Sequence, residues 1–126
     1  MSSIRSIAEW ISRAETAGTT LAAVIVEQES RQSQRSAAAI REAMTKNWQV
    51  MREAIAAGLA SGEKSPSGLV GGDARRYCAR IAGGEALVGD MAAKAVAYAL
   101  AVSEVNACMG RIVAFPTAGS CGIMPG

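Results

Sequence analysis

The sequence predicts an all-α fold, a helical bundle of about four helices with one long member. Three observations point there. Half of the 126 residues are hydrophobic, with alanine supplying much of that share, and the aromatics number two Trp, two Tyr and one Phe. Alanine is the strongest helix former, whereas sheets draw on β-branched and aromatic side chains. Only three prolines interrupt the chain, and its apolar residues recur at helical spacing.

Composition also bounds the function. The net charge of +2 comes from interspersed acids and bases. No basic patch with interleaved aromatics occurs, which argues against a nucleic-acid partner. The amino terminus, Met-Ser-Ser-Ile-Arg, lacks the apolar core of a signal peptide, so the cytoplasm is the expected location. Cys78, Cys108 and Cys121 stand 30 and 13 residues apart, a spacing that suits buried small hydrophobes better than a disulfide framework or a mutual metal site. The chain contains no histidine, so the commonest general base and metal ligand is absent from it.

Residues 3–16 read as a first amphipathic helix with Ile4, Ile7, Ala8 and Ile11 as its core stripe, Ser3 as cap and Gly18 after its end. Thr19 or Thr20 can cap a second helix that meets no Gly or Pro before Gly58, about 60 Å of continuous helix. Its later half carries Ile40, Met44, Trp48, Met51, Ile55 and Leu59 on one face, with Met44, Trp48 and Met51 expected in the core. Residues 27–36 are wholly polar, so a helix crossing them must be solvated or face another subunit, and its continuity near 30–36 is left open. Glu27 and Arg31 form an i,i+4 pair there.

Residues 61–72 form a Ser/Gly-rich loop. Gly71, Gly72 and Asp73 lead into a short helix over 74–82, with Asp73 as expected N-cap, apolar residues Ala74, Tyr77, Cys78 and Ile81, and a Gly83-Gly84 stop. A fourth helix over 90–109, closed by Gly110, is almost entirely apolar. Lys94, Glu104 and Asn106 within it argue against a membrane span, so it reads as the central buried helix of the bundle. A buried carboxylate needs partners. Glu104 is therefore expected to meet Arg111 or loop backbone, or to face a polar cavity; it either orients the neighbouring loop or acts directly on a substrate.

The closing stretch, residues 111–126, runs through Ile112, Val113, Ala114 and Phe115 into Pro116, Thr117, Gly119, Ser120 and Gly122. Glycines open access to backbone N–H groups and hydroxyls add short donors, so such a loop can cup an anion. It can equally be a plain turn between two buried elements. No Gly-Lys-Ser/Thr follows, so it is not a phosphate-binding Walker loop.

Three segments together carry a resemblance: Ser67-Gly-Leu-Val-Gly-Gly-Asp-Ala74, Ser103-Glu-Val-Asn-Ala-Cys-Met-Gly110 and Pro116-Thr-Ala-Gly-Ser-Cys-Gly-Ile-Met-Pro-Gly126. In order and spacing they are similar to the α chain of bacterial iron–sulfur-dependent L-serine dehydratases. The resemblance runs the length of this chain but reaches only about the first half of that family's α region. It implies a single partial domain over 1–126, the amino-terminal portion of a larger α-helical catalytic domain, with loops 61–73 and 111–126 converging on the site. It further implies conversion of L-serine to pyruvate and ammonia, with Thr117, Gly119, Ser120 and Gly122 holding the substrate carboxylate. Glu104, Asn106, Asp73 and Gly72 would support them.

A 4Fe–4S cluster is implied with ligands outside this chain. Cys121 falls where other members of the family carry small residues, so no ligand role passes to it. A β chain or β domain and an oligomeric assembly are implied as partners, and no general base is assigned. The chain alone is expected to be inactive. Rival readings are a related amino-acid lyase or desulfidase and a non-catalytic helical assembly module.

Overall fold

The computed structural model describes residues 6–126. Five α-helices and one short 3₁₀ turn make up the regular structure, and no strand occurs among the described residues. The chain divides into two compact units, residues 1–46 and 47–126.

The first unit opens with α1 (Ile7–Thr16) and α2 (Leu21–Ser33), which pack as a helical hairpin. Ser6 caps α1 by accepting the Glu9 amide at 3.2 Å, and Thr20 caps α2 by accepting the Ala23 amide at 3.2 Å. Gly18, in the left-handed region at φ 59°, reverses the chain between them. The expected cap Ser3, and Ile4 of the expected stripe, lie outside the described residues. The rest of that stripe is not core within this chain: Ile7 is 75% exposed and Ile11 46%, while Ala14 of α1 and Val24 of α2 are buried. Small Ala14 lets the helices close on each other, leaving the larger residues outside the contact.

The continuous helix over residues 20–58 does not form. Gln34 ends α2 in the left-handed region at φ 54°, and α3 (Ala37–Ala60) restarts under a Ser36 cap that accepts the Ala39 amide at 3.1 Å. The physical reason lies in the polar run. Ser33 Oγ donates back to the Glu29 carbonyl at 2.7 Å and Ser30 Oγ to the Arg35 carbonyl at 2.5 Å. Such side chains compete for the backbone, and no apolar stripe there holds the helix against them. The Glu27–Arg31 pair is present. Of the later stripe, Ile40 and Met51 are buried, but Met44 is 52% and Trp48 49% exposed, so those two are not core within this chain.

The second unit holds the later turns of α3, then α4 (Asp73–Ala82), α5 (Asp90–Ala107) and the 3₁₀ turn Ala118–Ser120. α3 runs past Gly58 to Ala60, so Gly58 is not a helix stop but a point of close contact. A Cβ there would collide with the Ala101 carbonyl of α5. The core is Ala54, Val102 and Cys121, with Ile55, Val105 and Ile112 packed against it. α4 packs along α5, burying Ala74, Ala93 and Ala97. The chain end lies on α5 as well, since a Cβ on Gly122 would stand 2.6 Å from the Ala99 carbonyl and one on Gly126 2.8 Å from that of Ala95.

α5 is thus the helix the other elements of this unit approach, but it is buried only in part. Met91 is 86% and Val96 43% exposed. The glycine signals hold with one exchange. α4 ends in a Schellman arrangement, with Gly84 donating to Ile81 and Glu85 to Arg80. α5 ends in the same arrangement, but its left-handed residue is Met109 at φ 63° rather than Gly110, which is held small by Val105. Among the described residues no helix is long and apolar enough to cross a membrane.

Of the three cysteines, Cys78 is exposed, Cys108 half-buried and Cys121 buried, so the expected burial of Cys78 on an apolar face is not realised. Burial pushes the Cys121 thiol up from the ordinary range. The folded chain therefore holds that proton more tightly than the unfolded one. Its contribution to stability is full below the ordinary thiol range and is lost as pH rises through the raised value. Iodoacetamide at mildly alkaline pH should label Cys78 first and Cys108 next, with Cys121 reacting only once urea unfolds the chain; peptide mass mapping reads the order. Gly58→Ala should lower the urea midpoint, because forced overpacking costs about 1–3 kcal/mol and outweighs a gain in helix propensity of about 1 kcal/mol.

Candidate functional site

The site is built on the last turns of α5. Before α4, Gly72 stands in the left-handed region at φ 82° as N-cap, and it offers no side chain to the helix. Asp73 is therefore not the cap but the first helical residue, paired with Arg76 three residues on. That hydrogen bond, with the guanidinium charge, holds the Asp73 carboxyl below the usual carboxylate range. The free amides at the start of α4 take their acceptor from α5. Glu104 Oε2 accepts Gly72 N–H at 3.0 Å, and Oε1 accepts those of Asp73 at 2.6 Å and Ala74 at 3.1 Å. A carboxylate at a helix amino terminus meets both the orphan donors and the positive end of the dipole. This accounts for a Glu that is only 6% exposed in a mostly apolar helix. Arg111, the alternative partner, pairs instead with Glu53 at 2.7 Å.

The loop that delivers the chain to Gly72 is internally fastened. Ser65, which is buried, donates its amide to the Val70 carbonyl at 2.8 Å and accepts the Val70 amide on Oγ at 3.2 Å. Lys64 Nζ donates to the Gly71 carbonyl at 2.6 Å. Gly71, at φ 129°, sits where a Cβ would strike the Glu63 carbonyl. Loop and helix start are therefore held as one piece against α5.

Two residues beyond Glu104, Asn106 Nδ2 donates to the Ala118 carbonyl at 3.3 Å and so ties the closing loop to the same helix end. Thr117 and Ser120 form a reciprocal capping box: the Thr117 amide reaches Ser120 Oγ at 3.2 Å, and the two hydroxyls lie 2.9 Å apart. Ser120 Oγ also lies within hydrogen-bonding distance of the Phe115 carbonyl, 3.0 Å away. Further amides close inside the loop, Cys121 on Ala118, Ile123 on Ser120 and Gly126 on Gly122. Thr117 and Gly119 remain exposed, Ser120 is half-buried, and Gly122 is buried against Ala99 as a seat for the loop.

A cavity of about 160 Å³ opens beside Glu104, lined also by Gly58, Ser61, Glu63, Cys108 and Gly110. A cavity beside Glu104 is one of the alternatives that the sequence left open; what the sequence did not reveal is that Glu104 is the acceptor for the Gly-Gly-Asp turn. The signal was present in halves. A glycine cap leaves a helix start in need of an acceptor, and a Glu inside an apolar helix needs donors. Among the described residues no group of three or more His, Cys, Asp or Glu is arranged to hold a metal ion, so the side chains present do not fit an iron–sulfur cluster.

A family model described as serine dehydratase alpha chain matches residues 16–126. The chain is 38% identical to the probable L-serine dehydratase, alpha chain, of Bacillus subtilis, over 97% of its own length and 40% of that protein. It is also 38% identical to the L-serine dehydratase, alpha chain, of Peptoniphilus asaccharolyticus, covering 81% of itself and 35% of the relative. To the L-serine dehydratase of Streptomyces coelicolor it is 35% identical, over 93% of this chain and 26% of that one. No solved structure matches. An all-α chain whose loops are gathered on one helix end is thus placed among known sequences: it belongs to the serine dehydratase alpha chain family. It spans two-fifths or less of the length of these curated relatives.

Glu104→Gln puts an NH₂ donor against amides that need an acceptor. It should cost about 1.5–3 kcal/mol, the range for hydrogen bonds to a charged group. Hydrogen exchange by NMR should then quicken at Gly72, Asp73 and Ala74 while the α1 amides keep their rates.

Proposed function

We propose that this chain forms the substrate-holding part of an L-serine dehydratase, the enzyme that converts L-serine to pyruvate and ammonia. One observation carries the reading beyond family membership. The last turns of α5 hold the Gly72–Asp73 turn through Glu104 and the closing loop through Asn106. Those are two of the motifs that mark the family resemblance, and a single rigid element positions both. The substrate carboxylate is assigned to the exposed face of the closing loop, where the Thr117 and Ser120 hydroxyls and the Gly119 amide supply donors; the Thr117 and Ser120 amides are closed inside the loop. Gly122 contributes by seating that loop on Ala99. Asp73 and Gly72 act through the turn they form.

The chemistry assigned to these residues is binding and orientation. The 4Fe–4S cluster has no ligand set among the described residues, so the reading gives its ligands to other parts of the enzyme. A β region, an oligomeric assembly and a cytoplasmic location complete the reading. Exposed Ile7, Ile11, Leu21 and Ile25 favour a second role for the first unit in assembly.

The test is the double variant Thr117→Val with Ser120→Ala in the complete enzyme. Each lost hydrogen bond to a charged carboxylate is worth about 1.5–3 kcal/mol, so KM for L-serine should rise at least about tenfold, with kcat changed much less. An exposed control on α5, Ser103→Ala, should leave both constants alone. If the chain serves assembly alone, KM of the double variant stays at the parent value.

A further inference from the structure

The cavity beside Glu104 has a consistent electrical character. Its wall is made where α3 and α5 both end, at Ala57 and Gly58 on one side and Val105 and Cys108 on the other. Each helix points the negative end of its dipole there, with the Ala57 and Val105 carbonyls already accepting the Ser61 and Gly110 amides. Glu63 and Glu104 add carboxylates, Ser61 adds a hydroxyl, and no Lys or Arg lines the space. A carboxylate offers about four lone-pair positions. The α4 amides use three on Glu104, one of them on Oε2, which leaves Oε2 with capacity for one more donor. A partly open hollow that offers two carboxylates, one with unused acceptor capacity, favours a cationic donor.

Size and geometry narrow the class. At about 160 Å³ the cavity is comparable to one of about 150 Å³ that accommodates benzene, so a small organic molecule fits. A divalent metal needs several ligands converging on one point, and no such group exists among the described residues. A primary ammonium instead carries three donors that can reach separated oxygens. We propose that this cavity binds the primary ammonium group of a small amine or amino acid, with Glu104 Oε2 as acceptor. The inference rests on the serine dehydratase reading only for its choice of L-serine as one probe.

Cys108 makes the proposal measurable. It lines the cavity and is half-buried, with Sγ 3.8 Å from the Glu63 carbonyl, while Cys78 is exposed on α4 and absent from the cavity wall. Iodoacetamide alkylation of the 126-residue chain, followed by peptide mass spectrometry, gives both rates in one sample. The probes are ethanolamine, L-serine and propionate at matched pH and ionic strength. A site occupied at ten times its Kd is protected about tenfold, so saturating ethanolamine and L-serine should slow Cys108 about that much relative to Cys78. Propionate should leave the ratio unchanged.

Equal Cys108 rates with every probe overturn the proposal. Protection by L-serine and propionate without protection by ethanolamine assigns recognition to the carboxylate and overturns it as well. Ala57→Leu fills the cavity without touching the hydrogen bonds of Glu104, and leucine is at home in a helix. That variant should keep its helical circular dichroism and lose the ethanolamine protection; protection that persists in it also refutes the assignment. No step measures turnover. Ethanolamine protection beside a complete enzyme inert toward L-serine would therefore retain the cavity and reject only the dehydratase reading.

Discussion

The second unit depends on one carboxylate. Without an acceptor from outside, the first amides of α4 would face the side of an apolar helix with nothing to bond. Glu104 closes that gap with three hydrogen bonds and in turn gains what a nearly buried charge needs. The bargain is mutual, and it spans about thirty residues of sequence. It fixes the direction of α4, the place of the Gly71–Gly72 turn and the side of α5 that the turn must occupy. Loops positioned in this way are rigid because their backbone polar groups are already matched, not because they are short.

Small residues make that exchange geometrically possible. Gly58 lets α3 approach Ala101, and Gly122 lets the chain end approach Ala99. Alanine at 93 and 97 keeps the buried face of α5 thin enough for α4. Close backbone approach brings dispersion contacts with little side-chain entropy to lose. It also means that a single added methyl at such a contact meets backbone rather than a movable side chain. The glycines of the closing loop therefore divide into two kinds: Gly122 serves packing, while Gly119 stays at the surface with the hydroxyls.

Much of the helix inventory was legible in the residues. α1, α4 and α5 lie close to where periodicity, Gly18, Gly83-Gly84 and Gly110 place them. Local rules sufficed there because capping and turn formation are local interactions. The second helix shows the limit: its polar run marked a weak point, yet only competition between the Ser30 and Ser33 hydroxyls and the backbone made it a break. Burial was the least legible feature. Ile7, Met44 and Trp48 carry the spacing of a core face and stand exposed, because periodicity reports which residues share a side and not what covers it.

For the site, sequence by itself determined the ingredients: a carboxylate embedded in an apolar helix, a Gly-Gly-Asp turn, and a loop of glycines and hydroxyls after Pro116. Three irregular motifs in fixed order also carried the resemblance to a family, which the match over residues 16–126 then showed. Only the tertiary structure decided the pairings. Glu104 goes to α4 and not to Arg111, Asn106 goes to Ala118, and a cavity remains where α3 and α5 end together. The reason is physical. Which donor meets which acceptor across such a separation depends on how closely the helices approach, and that distance is set by packing of the whole unit rather than by any stretch of its residues.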